Sequence, residues 1–461
     1  MPGYSILFPP LGALLGARLA GALCVVASAW LFERVAREHF GPGARAGVLW
    51  FAVAAATSLV TGRLTFAMGV ALGLAAVLAV THRRDGLGAL LAVATTLASP
   101  VAGLFLVMGA VAWWVADRAQ RAVGLAAAAL VPAVALSVAF PETGVEPFVA
   151  SAFWPVLAGI VLVFAALPRH ERTLRIGCAL YFAATVASYV VDTPMGGNVV
   201  RLGALFAGPL LACLLWRRNP ALLAALALPL LYWQWNAPVR DWVRASGDPS
   251  LERAYYAPLL GFLDGHAGGG PFRLEIPFTA NHWEARWVPP RYALARGWER
   301  QLDVERNAVF YDGPLTPAAY RRWVDANAVR FVAVPDAALD DSAKAEARLV
   351  TSGGLRWLRP VWRSRHWRVY EVAGARGLVD GTGVRATRMG VDTVELTASR
   401  PATVTLRVHF TPYWRLTAGR GCVERAPDDW TRLRLRAAGP IRLATDFAVG
   451  RIVGRGPRCT G

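Results

Sequence analysis

Apolar residues fill most of the first 236 positions in runs separated by short arginine-bearing stretches, and the pattern changes character from about residue 240. The runs fall at roughly 11–33, 46–61, 65–81, 86–98, 101–116, 122–140, 153–167, 173–191, 198–215 and 220–236. A straight membrane span needs ~20 apolar residues. Several runs are shorter, so the pattern predicts an α-helical polytopic membrane bundle of about ten segments, some of them tilted or broken. Ser99-Pro100 interrupts the stretch from 86 to 116. Proline and the residue before it disfavour continuous helix, which predicts two short helices or a re-entrant hairpin turning there. Non-helical backbone at membrane depth requires cover from protein or a wet cavity, which places this turn inside the bundle.

Beyond residue 240 the chain is rich in tryptophan and arginine. "AAYRRWVDANAVRFVAVPDAAL" reads as an amphipathic helix followed by a buried strand, and "WRVYEV" as another strand, so this part is expected to be α/β. "DTVELTASRPATVTLRVHFTPYWRLTAG" alternates with period two between turn residues and predicts a small antiparallel β domain. The expected organisation is a transmembrane domain at 1–238, an α/β domain at 239–375 and a β domain at 376–461. There is no internal repeat and no low-complexity tract.

Composition sharpens this picture. Of 461 residues 55% are hydrophobic, and the net charge of +18 is carried by arginine, since Lys344 is the single lysine. The charge reads as a topology signal and not as a nucleic-acid footprint. Arg34, Arg37 and Arg45, then Arg83 and Arg84, Arg118 and Arg121, Arg169, Arg172 and Arg175, and Arg217 and Arg218 form five basic clusters in alternate loops. The positive-inside rule makes all five cytoplasmic. The N-terminus and everything after Asn236 then lie outside, so the expected location is the plasma membrane with an extracytoplasmic C-terminal part. The first residues lack a basic n-region and a cleavage site. An outside N-terminus without a signal implies an earlier helix ahead of this chain.

Cys24, Cys178 and Cys213 lie in apolar runs and read as packing residues. Cys422 and Cys459 lie in the tail, where an oxidising compartment would let them pair. Such a bridge is worth about 3–4 kcal/mol in the chain-entropy treatment, although the terminal place of Cys459 equally suits a frayed end. The seven histidines form no metal pattern, and no HExxH, paired CxxC or phosphate-binding loop occurs. No cofactor is identified, with a divalent metal left open.

The segment "FPPLGALLGARLAG" resembles the one that follows the first large extracytoplasmic loop in the glycosyltransferase C superfamily, whose members use lipid-phosphate-linked sugars. "GRLTFAMGVALGLAA", "LASPVAGLFL" and "TPMGGNVVRLGALFAGPLL" look like actinobacterial integral membrane proteins of that architecture. "ARGWERQLD", "VRFVAVPDAALD" and "HWRVYEV" are similar to their extracytoplasmic domains. The resemblance implies membrane lipids, a polyprenyl-phosphate-linked sugar and cell-envelope glycan as partners. Established transferases of the superfamily place a catalytic acid upstream of the position matching Phe8-Pro9-Pro10, so the resemblance carries no catalytic acid onto a residue here.

The outer loops hold the candidate site. In "DTPMGGNVVRLG", Asn198 is placed to cap a helix starting at Val199, with Gly196 and Gly197 turning the chain ahead of it. Free amides at a helix N-terminus attract anions, and Arg201 one turn in is able to grip a phosphate bidentately. The bland reading is that Asn198 only caps while Arg201 snorkels to headgroups or pairs with Asp192. Arg18 is expected about two turns inside the first helix, facing the bundle because a lipid-facing charge costs ~2.5–3.5 kcal/mol. Its partner is Asp192, Glu142, Glu146 or a ligand. Arg63 sits in a short turn and reads as solvated interface. Glu142, Glu146 and Asp192 are the acids available for a general-base role, against the reading of Glu142 and Glu146 as solvated loop carboxylates. Trp298, Trp323, Trp367 and Trp414 read as core aromatics, with a glycan platform as the alternative.

The expected function is handling of a lipid-phosphate-linked sugar in cell-envelope glycan assembly, with lipid-phosphate-binding residues Arg201, Asn198, Gly197 and Arg18. The rivals are a transporter or flippase, for which intramembrane arginines and a broken helix pair also fit, and a non-catalytic envelope scaffold.

Overall fold

The computed structural model describes residues 4–140, 144–448 and 459. The chain divides into two compact units, residues 1–243 and 244–461. The first is all helical: α1 (Phe8–Leu15), α2 (Ala17–Phe40), α3 (Arg45–Ala55), α4 (Thr57–Val60), α5 (Leu64–Thr81), α6 (Asp85–Ala98), α7 (Pro100–Asp117), α8 (Gln120–Ala139), α9 (Ala150–Ala166), α10 (Arg172–Val190), α11 (Val200–Leu215) and α12 (Pro220–Ala245). Among the described residues six stretches are long and apolar enough to cross a membrane: Ala17–Val60, Leu64–Thr81, Pro100–Asp117, Gln120–Ala139, Arg172–Val190 and Gly196–Leu215. The helices α6 and α9 are apolar but shorter.

Side-chain contacts gather the loops at two ends. At one end His82 meets Glu38 at 2.8 Å, Arg121 donates to the Val80 carbonyl at 3.3 Å, His39 meets Glu171 at 3.2 Å, and Arg218 meets His170 at 3.3 Å. These four contacts join all five arginine-bearing loops. At the other end Ile6 and Leu7 donate backbone amides to the Leu97 carbonyl, and Glu146 N donates to Thr193 O at 3.1 Å.

Buried polar side chains in this unit mostly find partners inside it, as an apolar surround demands, Trp233 Nε1 being the exception among the described residues. Trp50 Nε1 donates to Gln234 Oε1 at 3.0 Å, and Gln234 Nε2 passes the bond on to Ala204 O at 2.7 Å. Thr96 Oγ1, fully buried, donates to the Ala129 carbonyl at 2.8 Å across to α8. The break at Ser99 is buried too: its backbone is extended (φ −156°), and its hydroxyl accepts from Ala102 N at 3.4 Å at the start of α7. Proline at the first position of α7 needs no amide partner, so the Ser-Pro pair ends one helix and starts the next with a single side-chain cap.

Small residues set the helix spacing. At Gly69 on α5 a Cβ would stand 2.6 Å from the Ala102 Cβ, and at Gly47 on α3 it would collide with the Pro209 carbonyl oxygen of α11. Aromatic packing fills the seam beside them, with Phe32 and Phe51 stacked at 4.1 Å and Phe66 edge-on to Phe105 at 6.1 Å.

The first helix departs from expectation. The chain breaks at Gly16 (φ 79°, ψ 137°), a conformation glycine reaches without strain. Helix α2 therefore starts at Ala17, which puts Arg18 in its first turn, and Arg18 is exposed and not buried against the bundle.

The second unit combines a mixed sheet with a sandwich. Helices α13 (Arg253–Asp264), α14 (Glu284–Trp287), α15 (Arg300–Arg306), α16 (Pro317–Ala326) and α17 (Lys344–Thr351) accompany strands β1 (Arg273–Glu275), β2 (Ala293–Leu294), β3 (Val329–Pro335), β4 (Leu358–Arg363) and β5 (Trp367–Val372). The sheet order is β2-β1-β3-β5-β4, with β1 parallel to β2 and β3 and the remaining pairs antiparallel. Helix α16 starts at a Thr316 side-chain cap, and its buried Tyr320, Trp323 and Val324 lie on one face three and four apart.

Strands β6 (Val379–Asp380), β7 (Val384–Met389), β8 (Thr393–Ala398), β9 (Ala402–His409), β10 (Trp414–Ala418), β11 (Gly421–Arg425), β12 (Trp430–Leu435) and β13 (Gly439–Thr445) form two antiparallel sheets, β10-β13-β8-β7 and β11-β12-β9-β6. Leu396 and Leu443 of the first sheet and Leu406 and Leu433 of the second share one core. Cys422 and Cys459 are joined by a disulfide with Cα atoms 5.4 Å apart.

The tight α3–α11 seam makes a direct test. Gly47→Ala forces a methyl into backbone and is expected to cost about 1–3 kcal/mol, read as a lowered thermal-unfolding midpoint of the purified chain in detergent. Gly109→Ala on α7, where the added methyl meets open space, should leave that midpoint unchanged or raise it.

Candidate functional site

The end of the helical unit opposite the five arginine-bearing loops gathers the sequence motifs that stand apart from plain apolar helix. The turn before α5 contributes Arg63, the extended loop after α8 contributes Glu146, and the segment between α10 and α11 contributes Gly196, Gly197 and Asn198 ahead of Arg201.

Local packing fixes this arrangement. Residues Gly196–Val199 form a 3-10 turn that runs directly into α11. Gly196 has a φ of 36°, and a Cβ there would collide with the Glu146 carbonyl, so only glycine lets the loop from 144 to 149 lie this close. Tyr181 of α10 clamps the entry to α11: its hydroxyl donates to Val199 O at 2.9 Å and accepts from Gly203 N at 3.2 Å. Arg201, half-buried one turn into α11, is thereby aimed over the ring of Phe66 at 5.7 Å.

Phe66 follows Arg63 by three residues on the first turn of α5, which brings the second guanidinium to the same place. Arg63 is half-buried. Burial first, and then the charge of Arg201, lower its pKa to about 10, against the opposing influence of Asp241, Tyr4 and Glu146. It remains protonated at neutral pH. Neither guanidinium forms an ion pair with a carboxylate among the described residues. Two partly desolvated cations near each other without a bonded counter-charge are an arrangement that is able to hold an anion, and guanidinium forks suit the paired oxygens of phosphate or carboxylate.

Several expectations change here. Asn198 does not cap α11: it is buried, and its Nδ2 donates back to Pro194 O at 3.4 Å, because the helical path already begins in the 3-10 turn and leaves no extended capping residue. Arg63 is half-buried and not a freely solvated interface residue, and Arg201, lying over the ring of Phe66 three residues on, lowers its pKa. Arg18 lies outside the cluster, with no hydrogen bond or ion pair to it among the described residues. Asp192 is exposed and makes no ion pair with Arg201. Glu146 joins the site through its backbone and its charge on Arg63. Glu142 lies outside the described residues. Tyr4 and Asp241, which the sequence reading passed over, belong to the electrostatic surround of Arg63. Their positions, far apart in the chain, offered no local signal.

The second unit carries its own charged clusters. Arg296 is buried between the rings of Phe278 and Phe310, 4.1 and 3.8 Å from their centroids, and faces Asp303 at 2.8 Å, Glu346 at 3.4 Å and Glu275 at 3.9 Å. Burial raises Glu275 well above the ordinary carboxylate range and Glu346 to about 7. This closed network ties β1, α15 and α17 together and has no access for a substrate. Nearer the surface, His282 Nδ1 stands 3.5 Å from Glu284 and Nε2 3.7 Å from Asp340. Burial opposes its charge, but the carboxylates of Asp340 and Glu284 close to the ring prevail and raise its pKa to about 9. Of the four tryptophans singled out, Trp323, Trp367 and Trp414 are buried and Trp298 is exposed.

Comparison with protein-family models, with curated proteins and with solved structures finds no match to this chain.

The His282 cluster predicts a pH dependence. Because the folded pKa is raised above the ordinary value of 6.5, charged His282 contributes stability that is fully present below pH ~6.5 and is lost as pH rises through about 9. In thermal unfolding of the second unit between pH 6 and 10, His282→Gln is expected to lower the midpoint at the acid end and to flatten the decline. An unchanged profile would contradict the assignment.

Proposed function

We propose that this chain is a polytopic plasma-membrane protein that binds the phosphate of a lipid-linked sugar between Arg63 and Arg201 during cell-envelope glycan assembly. The crossing count is ten when α3 is taken apart from α2 and the shorter α6 and α9 and the proline-containing α12 are added. The five arginine-bearing loops face the cytoplasm by the positive-inside rule, which puts the Arg63–Arg201 end and the second unit outside. The observation that supports this reading is the pairing of two half-buried guanidiniums, neither bonded to a carboxylate, at one end of an apolar helical unit. A lipid phosphate reaches that depth with its tail in the bilayer. The resemblance to the glycosyltransferase C superfamily supplies the sugar. Of the carboxylates whose charge reaches Arg63, Asp241 and Glu146, the second is the one proposed to accept a proton from an acceptor hydroxyl.

Binding tests the phosphate role. For the full chain in nanodiscs, native mass spectrometry should detect polyprenyl phosphate in preference to the uncharged polyprenol. Arg201→Ala and Arg63→Ala should each weaken the phosphate lipid at least tenfold, about 1.4 kcal/mol, with polyprenol unaffected. Unchanged phosphate binding in both variants would overturn the role.

Sidedness has a separate test. A cysteine replacing exposed Asp192 should react with a membrane-impermeant maleimide in intact cells, whereas one replacing exposed Gly86 should react only after permeabilisation. The opposite pattern would place the second unit inside.

A further inference from the structure

A cleft of about 480 Å³ opens in the second unit where α16 and the 373–378 connection meet β6, β9 and β12. Its volume falls within the ~300–1,000 Å³ of ordinary small-molecule sites. Four guanidiniums line it, from Arg322, Arg376, Arg407 and Arg432, together with the ring of Trp430.

The internal pairing of these charges leaves a positive surplus. Arg407 holds Asp380 at 2.9 Å, Asp325 is held by Arg321 at 2.9 Å, and Arg432 faces Glu424 at 3.6 Å. Arg322 and Arg376 are exposed and form no ion pair among the described residues. Asp428 at the rim is the lining carboxylate in the same condition.

Two buried polar atoms of lining residues have no hydrogen-bond partner among the described residues: Nε of Arg407, a residue only 7% exposed, and Oδ1 of Asp325. Unmet buried donors and acceptors are rare because each costs stability, and they mark places where something absent from the bare protein completes the bonding. Here one is a donor and the other an acceptor, which calls for a ligand able to do both.

We propose that this cleft is a second binding site, for a monosaccharide-sized anion: a polyhydroxylated ring bearing a phosphate or a carboxylate. The guanidiniums take the anionic oxygens and the aspartates take ring hydroxyls. Trp430, covered by His409 on one face at 4.6 Å, supplies an apolar wall. The site uses none of the residues of the Arg63–Arg201 cluster, and its fate is independent of the lipid-phosphate reading.

The test titrates glucose 1-phosphate, glucuronate and neutral glucose into the full chain in detergent, with isothermal calorimetry as readout. At least one anion should saturate at millimolar concentration or below, with glucose at least tenfold weaker. The better of the two anions identifies phosphate or carboxylate as the recognised group. The double variant R322E/R376E alters two exposed side chains that make no hydrogen bond or ion pair among the described residues, and it should weaken the anion at least tenfold. Arg201→Ala should leave this binding unchanged, which separates the cleft from the site in the helical unit. Failure of both anions to saturate, equal binding of glucose, or unaltered affinity in the double variant would each overturn the proposal.

Discussion

An apolar helical unit has no water to spare for its own backbone, and the way its broken places are bonded governs everything else in it. The chain leaves regular helix at Gly16, at Ser99 and between Val191 and Val199. At Ser99 a hydroxyl accepts the freed amide. Between α10 and α11 the 3-10 turn carries most of the bonding, and the Tyr181 hydroxyl closes it by giving to one carbonyl and taking from one amide. The tyrosine thereby sets where α11 begins and which way Arg201 points.

The two units treat arginine in opposite ways. In the second unit Arg296 is fully enclosed, stacked between two rings and faced by three carboxylates, so its charge is compensated several times over, and burial, with the neighbouring acids adding to it, raises the pKa of Glu275 and Glu346. In the first unit Arg63 and Arg201 are partly desolvated and set against each other. A buried charge that is paired serves architecture. One left beside its like is a cost that a bound anion would remove, and this contrast separates the scaffold arginines from those suited to binding.

The cleft of the second unit shares that logic in a milder form. Arg407 is anchored by Asp380 and also donates to the Ala326 carbonyl at 3.1 Å, which links the β9 strand to the end of α16. The helix brought to the strand this way carries Arg322 at the rim, and the 373–378 connection carries Arg376. The scaffold and the recognition surface are therefore built from neighbouring arginines of one cleft, distinguished by whether a carboxylate or a carbonyl already occupies them.

Much of this architecture was legible in the order of residues. Apolar runs, period-two alternation and the Ser-Pro and Gly-rich interruptions located most helices and strands, because the periods of helix and strand are local properties of the chain. The spacing of arginines in alternate loops anticipated that those loops would share an end. The place of Arg201 in the first turn of α11 was legible because glycines, asparagine and arginine at a helix start are a local pattern. What the linear pattern misjudged was each residue whose role depends on a distant neighbour. Arg18 was expected to face the bundle, yet the break at Gly16 restarts the helix and turns it outward. Asn198 was expected to cap, yet the turn it belongs to is already helical. Arg63 was read as solvated, yet it is half-buried, and Arg201, lying over the ring of Phe66 on the first turn of α5, is close enough to lower its pKa. By itself the sequence determined the elements and the alternation of their loops, since both follow from neighbours in the chain. Only the tertiary structure decided which charges meet, because desolvation and pairing are set by contacts between helices that the chain joins only through long detours.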